Sequence, residues 1–233
     1  MVNMDSDKEL TSRTLANILS LIERRGYDPG ERLPSERELS ERFGVGRGVV
    51  REALSILENL RYLKRKRNSG MYLTSTPERI SLETLSLFSE LGIDLTKDKI
   101  IQALEVKALI ETQAILLACE RRTEEQLKAI EDIVRRFDEA IAGSGESIAD
   151  LDYEFHMALF KATHNTVLIQ MVNPFYIMSA RRREMFFSDV ERCKVSNQEH
   201  HQLLACLRRQ DAAAAQKIMR DHIGRGESGL LGD

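Results

Sequence analysis

Residues 33–73 read LPSERELSERFGVGRGVVREALSILENLRYLKRKRNSGMYL, and the order of residue types in them decides the fold. Ser35 followed by Glu38 is a capping box, in which each side chain satisfies the other's backbone N–H at a helix start. Leu39 and Phe43 then fall on one face of that helix, Gly44 ends it, and Val45 plugs the corner. A second helix is predicted from about Arg47 to Leu60, with Val50, Leu54 and Leu57 at core spacing. Its first turn exposes Arg47 and Arg51, one helical turn apart and so on one face. After Leu60 come Arg61, the run Lys64-Arg65-Lys66-Arg67, the turn Asn68-Ser69-Gly70 and the apolar Met71-Tyr72-Leu73, which together read as a basic hairpin. Two helices meeting at a glycine-containing turn, with a cationic hairpin behind them, are the layout of a winged helix-turn-helix. The expected partner is double-stranded DNA.

The chemistry of that partner fits the residues. The first turn of a recognition helix is the part that reaches base edges, and the Arg fork matches guanine O6 and N7. Arg37, near the start of the preceding helix, is placed to hold a phosphate. A run such as KRKR on its own is usually a solvated face. Gly44, Gly46 and Gly48 do not make a phosphate-cradling loop, because they follow a helix rather than a strand and no GK[ST] comes after them.

The segment LPSERELSERFGVGRGVVREAL resembles the signature of GntR-type bacterial transcription regulators, over about the first 75 residues. The resemblance implies operator contacts by Arg37, Arg47 and Arg51, and entry of the wing tip at Gly70 into the minor groove. The chain departs from the family at Gly46 and Gly48, where Ser or Thr is usual, and at Asn68, where a wing Gly is common. Hydroxyl contacts at those two glycines are therefore missing, which bears on the preferred bases and not on the mode of binding.

The chain has 233 residues, enough for two ordinary domains, and a formal net charge of −3. That charge alone argues against a nucleic-acid binder, but it is unevenly spread. Residues 10–75 hold 13 Lys and Arg against 8 Asp and Glu, a net of +5, whereas residues 76–233 hold 20 against 26, a net of −6. A basic reader on an acidic body presents one face to DNA. Cys119, Cys193 and Cys206 are odd in number and lack metal-site spacing, so reduced thiols are expected. No apolar run approaches the roughly 18–20 residues of a membrane span and no secretory signal opens the sequence, so the expected location is cytoplasmic, away from membranes.

The expected division places the DNA-binding domain in residues 1–75 and an effector-binding and dimerisation domain in residues 76–233. Beyond Ser75 the pattern is helical, with Thr76 capping a helix that opens at Pro77 and further starts near Thr96, Thr123 (a second capping box, with Gln126), Ile148, Asn165, Val190 and Asp211. Few Gly and Pro and short connections predict an antiparallel bundle. The fold class is thus mostly α: an N-terminal winged helix-turn-helix followed by an all-α antiparallel helical bundle.

In that second part, His156 follows Asp152 by one helical turn beside Leu151, Phe155 and Leu159. His200 shares a face with Leu203, Leu204 and Leu207, and His222 is in register with Ala215, Ile218 and Met219. Asp and His one turn apart can chelate one ion, and two further His from other helices complete a borderline-metal set. Each His taken singly fits equally as a satisfied core or surface residue. A buried Asp152 without a cation or donor is costly, and a metal accounts for all four together.

Residues 80–225 resemble the all-helical FCD-type ligand-binding domain of the FadR branch, through LDYEFH (151–156), THNTVL (163–168), EHHQL (199–203) and DHI (221–223). The resemblance implies a divalent ion on Asp152, His156, His200 and His222, zinc first, with nickel and manganese as alternatives, and a small organic acid completing its coordination. Where family members often carry Arg, the motif EVKALIE has Lys107, a point charge rather than a fork. Arg182, in line with Leu168, Met171, Phe175 and Met178, is the second candidate for the effector's carboxylate, and a solvated Arg within Arg181-Arg182-Arg183 is its bland alternative. The implied mechanism is a non-enzymatic regulator: a homodimer with recognition helices in successive major grooves about 34 Å apart on a palindromic operator, switched by the carboxylate effector. Two other readings remain: a metal-dependent hydrolase tethered to DNA, for which no HExxH-type base is seen, and an architectural DNA-binding protein with a purely structural bundle.

Overall fold

The computed structural model describes residues 4–93 and 95–231, and its chain divides into two compact units at Leu95/Thr96. In the first unit, α1 (Met4–Arg25) packs on α3 (Arg47–Asn59), and α2 (Glu36–Phe43) packs on α3 as well. Leu39, Val50, Ala53, Leu54 and Leu57 meet Leu15, Ile18, Leu19 and Ile22 of α1 in one core. The Ser35–Glu38 capping box forms as expected: Glu38 N donates to Ser35 Oγ at 3.3 Å and Ser35 N to Glu38 Oε2 at 2.7 Å. Gly44 closes α2 in the left-handed region (φ 66°), its N–H returning to the Ser40 carbonyl. A Cβ is strained there, so Gly44→Ala is expected to destabilise the protein by roughly 1–2 kcal/mol, read from urea unfolding. An unchanged midpoint would mean that the turn relaxes freely.

The wing pairs β1 (Leu63–Lys66) with β2 (Gly70–Leu73) antiparallel, in register Leu63↔Leu73 through Lys66↔Gly70. Residues 31–33 run alongside β2, with Leu33 N donating to Met71 O and Leu73 N to Glu31 O, each at 2.9 Å, and an Arg32↔Tyr72 bridge. That flank, and α1, lie upstream of the residues from which the fold was read.

The unit boundary falls beyond Ser75. The helix expected at Pro77 is only a 3-10 turn, Pro77–Arg79, followed by the short α4 (Glu83–Glu90). Phe88 of α4 is buried in the first unit's core, edge-on to Tyr62 with ring centroids 5.5 Å apart, and this packing holds α4 to the first unit. The next helix begins after Thr96, whose side chain caps Lys99 N at 3.3 Å.

The second unit is all-helical: α5 (Lys97–Arg121), α6 (Glu124–Ile141), α7 (Ile148–Ala162), α8 (Thr166–Met178), α9 (Ala180–Phe186), α10 (Val190–Arg209) and α11 (Ala212–Leu231). α5 packs chiefly on α11 and α7, and α6 on α7 and α10. Phe137, Leu151, Phe155, Leu203 and Leu207 form the centre of the core. The second capping box, Thr123 with Gln126, is present. One expectation changes. The helix from Asn165 does not run on to Arg182: it ends at Met178, Ser179 Oγ donates back to Phe175 O at 2.9 Å, and Arg182 belongs to α9. Cys119, Cys193 and Cys206 are free and buried, and burial pushes the Cys119 thiol up to about 11.

Candidate metal centre and nucleic-acid interface

In the first unit, Arg47 opens α3 and Arg51 follows one turn later, both exposed. Arg47 makes no ion pair among the described residues. Arg51 is held by Glu36, and Arg37 pairs along its own helix with Glu41, Nε to Oε1 at 2.8 Å. Gly46 is the N-cap of α3 with no side chain to cap it, and a Cβ at Gly46 or Gly48 meets nothing within 4 Å, so both glycines leave open space at the helix start. Gly70 begins β2 at φ 117°, a conformation that favours glycine, and a Cβ there comes within 3.3 Å of Arg32 Nε. Lys64, Arg65, Lys66 and Arg67 are exposed along the wing. Arg32 adds a cation to this surface that the sequence reading did not name.

In the second unit the four residues expected as ligands meet at one point. Asp152 and His156 come from α7, His200 from α10 and His222 from α11, all buried, with one ligating atom from each within 4.8 Å of the others. Asp152 Oδ1 lies 3.7 Å from His156 Nε2 and 3.6 Å from His200 Nε2. The Nε2 atom of His222 approaches that of His156 to 3.2 Å.

Two acidic residues set the direction of these rings. His156 Nδ1 lies 2.7 Å from Glu111 Oε2, and His222 Nδ1 lies 2.8 Å from Glu199 Oε2. Glu199 hydrogen-bonds His222 Nδ1 and Glu111 stands close beside His156 Nδ1, so the Nε2 atom of each ring faces inward. Two imidazole nitrogens 3.2 Å apart hold either a shared proton or a cation between them. His200 stacks on Phe155 at 3.9 Å between centroids, and neither of its nitrogens has a hydrogen-bond partner among the described residues. Such orphaned buried nitrogens are costly without a ligand. Burial, with His156 beside it, lowers the His222 imidazole to about 4, and burial holds His200 well below its ordinary value. Both rings are therefore the neutral bases that bind metals. The set of three imidazoles and one carboxylate fits a divalent first-row ion.

Glu111 is a hub in its own right. It accepts from Tyr176 Oη at 2.7 Å and pairs with Lys107. Burial acts to raise its carboxyl, but the neighbouring His156 and Lys107 override this and leave it well below the usual range. The Lys107 ammonium also lies 4.5 Å over the Tyr176 ring.

A cavity of about 60 Å³ opens beside Asp152, His156 and His222 and is lined by Lys107, Tyr176, Ser179, Arg183 and Ser196 among others. Arg182, the sequence's second candidate, is not among its lining residues, and its Nη2 donates to Met178 O at 3.0 Å. Arg183 lines the cavity instead, braced by Ala149 O at 3.0 Å and Tyr176 O at 3.3 Å. Glu111, Glu199 and Arg183 were missed in the sequence. The first two stand inside motifs already singled out, EVKALIE and EHHQL, and the need of each ligand imidazole for a second-nitrogen partner was the available signal.

A winged helix-turn-helix joined to a helical domain with a cavity beside a buried Asp/His cluster is the build of a DNA-binding transcription regulator. Residues 10–73 match the model for bacterial regulatory proteins of the gntR family, and residues 102–225 match the FCD domain. The chain is 30% identical to the HTH-type transcriptional regulator LutR of Bacillus subtilis, over 91% of this chain and 97% of that one. It is also 30% identical to the galactonate operon transcriptional repressor of Escherichia coli, over 89% and 90%. Among solved structures it resembles Streptococcus agalactiae GntR, with a TM-score of 0.51 and 27% identity over 93% of this chain and 98% of that one. The chain belongs to the gntR family, in the FadR-like branch whose second domain is FCD. It is a DNA-binding regulator and not an enzyme, and no helix among the described residues is long and apolar enough to cross a membrane.

Proposed function

We propose that this regulator is a homodimeric repressor whose hold on a palindromic operator is set by a small organic acid bound at a divalent metal centre. The observation that carries the reading is the convergence of Asp152 Oδ1 with the Nε2 atoms of His156, His200 and His222, two of them turned inward by Glu111 and Glu199. These four residues would hold the ion, zinc first, and the bound ion supplies a Lewis-acidic position for a carboxylate. Arg183 and Lys107 add positive charge to the cavity wall, and Ser179 and Ser196 offer hydroxyls to a hydroxy acid. The cavity, about 60 Å³, suits an acid of few atoms or the head of a longer one. A relative named for a galactonate operon makes sugar acids the first class to try. On the DNA side, Arg47, Arg51 and Gly70 would meet the grooves and Arg37 a phosphate, with Gly46 and Gly48 allowing close approach of the backbone.

The test is an anisotropy titration of zinc-loaded protein on a duplex selected from a randomised pool, repeated across small carboxylates including galactonate. One acid is expected to weaken operator binding by about 5- to 150-fold, the range of ordinary allosteric coupling. Operator affinity that stays constant across the whole panel would remove the effector from the reading.

A further inference from the structure

We infer that Glu36 is a specificity-determining residue of the DNA reader, holding the Arg51 guanidinium in a pose that meets a base edge and keeping it from phosphate. The inference rests on the reading that Arg51 faces DNA. Glu36 stands in the first turn of α2, and its Oε2 accepts from both Nε of Arg51, at 3.1 Å, and Nη2, at 3.0 Å. Its other oxygen lies 3.7 Å from Nη1 of Arg65 on the wing, and Arg65 Nε in turn donates to Glu58 of α3 at 3.1 Å. One carboxylate of α2 thus ties that helix to α3 and to the wing. Arg37, in contrast, pairs only within its own helix, and Arg47 has no ion pair among the described residues.

The geometry has two consequences. Guanidinium carries five N–H donors in a rigid plane, and engagement of Nε and one Nη2 proton leaves the Nη1–Nη2 edge to meet two acceptors such as N7 and O6 of guanine. A side chain held in that pose beforehand loses less rotamer freedom on binding. The second consequence is repulsive. Phosphate oxygens carry full charge and guanine acceptors do not, so a fixed carboxylate beside Arg51 penalises the sequence-independent contact more than the base contact.

The test compares an operator duplex selected from a randomised pool with a mixed-sequence duplex of equal length, using full-length protein. Glu36→Gln is expected to bind the mixed duplex more tightly and the operator no more tightly, lowering the ratio of the two affinities about tenfold. Arg51→Lys keeps the charge but not the fork and should lower the ratio similarly. The double variant should then be no worse than Arg51→Lys alone. Melting midpoints near that of the parent protein show that each variant is folded. Equal strengthening of both duplexes by Glu36→Gln would overturn the inference, as would a further fall of the ratio in the Arg51→Lys background. An Arg51→Lys protein with an unchanged ratio would instead overturn the placement of Arg51 on DNA, and the inference with it.

Discussion

Purified His200→Ala protein is expected to carry no stoichiometric divalent ion, whereas the parent protein carries about one per chain. Chelation should lower the melting midpoint of the parent by on the order of 10 °C and leave that of the variant unmoved. The size follows from linkage: an ion at about a thousand times its Kd stabilises the folded state by about 4 kcal/mol, and a protein of this length shifts by about 2–4 °C per kcal/mol. His200 is the most diagnostic ligand because it is fully buried and its two nitrogens lack any other partner among the described residues. Identical ion content in variant and parent, with no response to chelator in either, would make the four residues a dry polar core.

The metal-free protein should also respond to acid in a defined direction. Burial keeps His222 neutral down to about pH 4, whereas the unfolded chain takes up that proton near 6.5. A depressed histidine means that the unfolded state binds more protons between those values, so stability falls as the pH drops from about 6.5 towards 4. His200, lowered in the same direction, adds to the slope.

The other large effect is on the DNA side. Arg47→Ala is expected to weaken binding to the selected operator by about 10- to 100-fold, the cost of one lost bidentate base contact, and to change binding to mixed-sequence DNA far less. Arg47 is exposed in the first turn of α3 and has no ion pair among the described residues, so the substitution leaves the fold intact. Equal loss on both duplexes, with a smaller dependence on salt, would make Arg47 a phosphate contact instead.

The parts of this molecule that are written locally were legible in its sequence. Capping boxes act within one turn, so Ser35–Glu38 and Thr123–Gln126 were readable, as were Gly44 and the wing turn. Asp152 and His156 were visible together because one helical turn brings them to the same face. His200 and His222 stood out as polar residues in apolar stripes. What escaped depends on how helices approach one another. Glu111 meets His156 from a different helix, and Glu199 turns away from its neighbour His200 to bond His222. Periodicity ranks both as ordinary charged helix residues. Arg182 shares a stripe with Leu168, Met171, Phe175 and Met178 only if one helix runs unbroken, whereas α8 ends at Met178 and Arg183 of α9 is the arginine that lines the cavity. The expected boundary at Ser75 followed the end of the wing, whereas Phe88 holds the next segment to the first unit's core.

The four convergent residues come from α7, α10 and α11, and the last of them lies far along the sequence, in α11. During synthesis the winged unit, with all its arginines, leaves the ribosome long before residue 222 is added. The cluster is therefore completed only after the whole winged unit has been made. A message cut short before that codon encodes the whole DNA reader and only part of the ion-holding set.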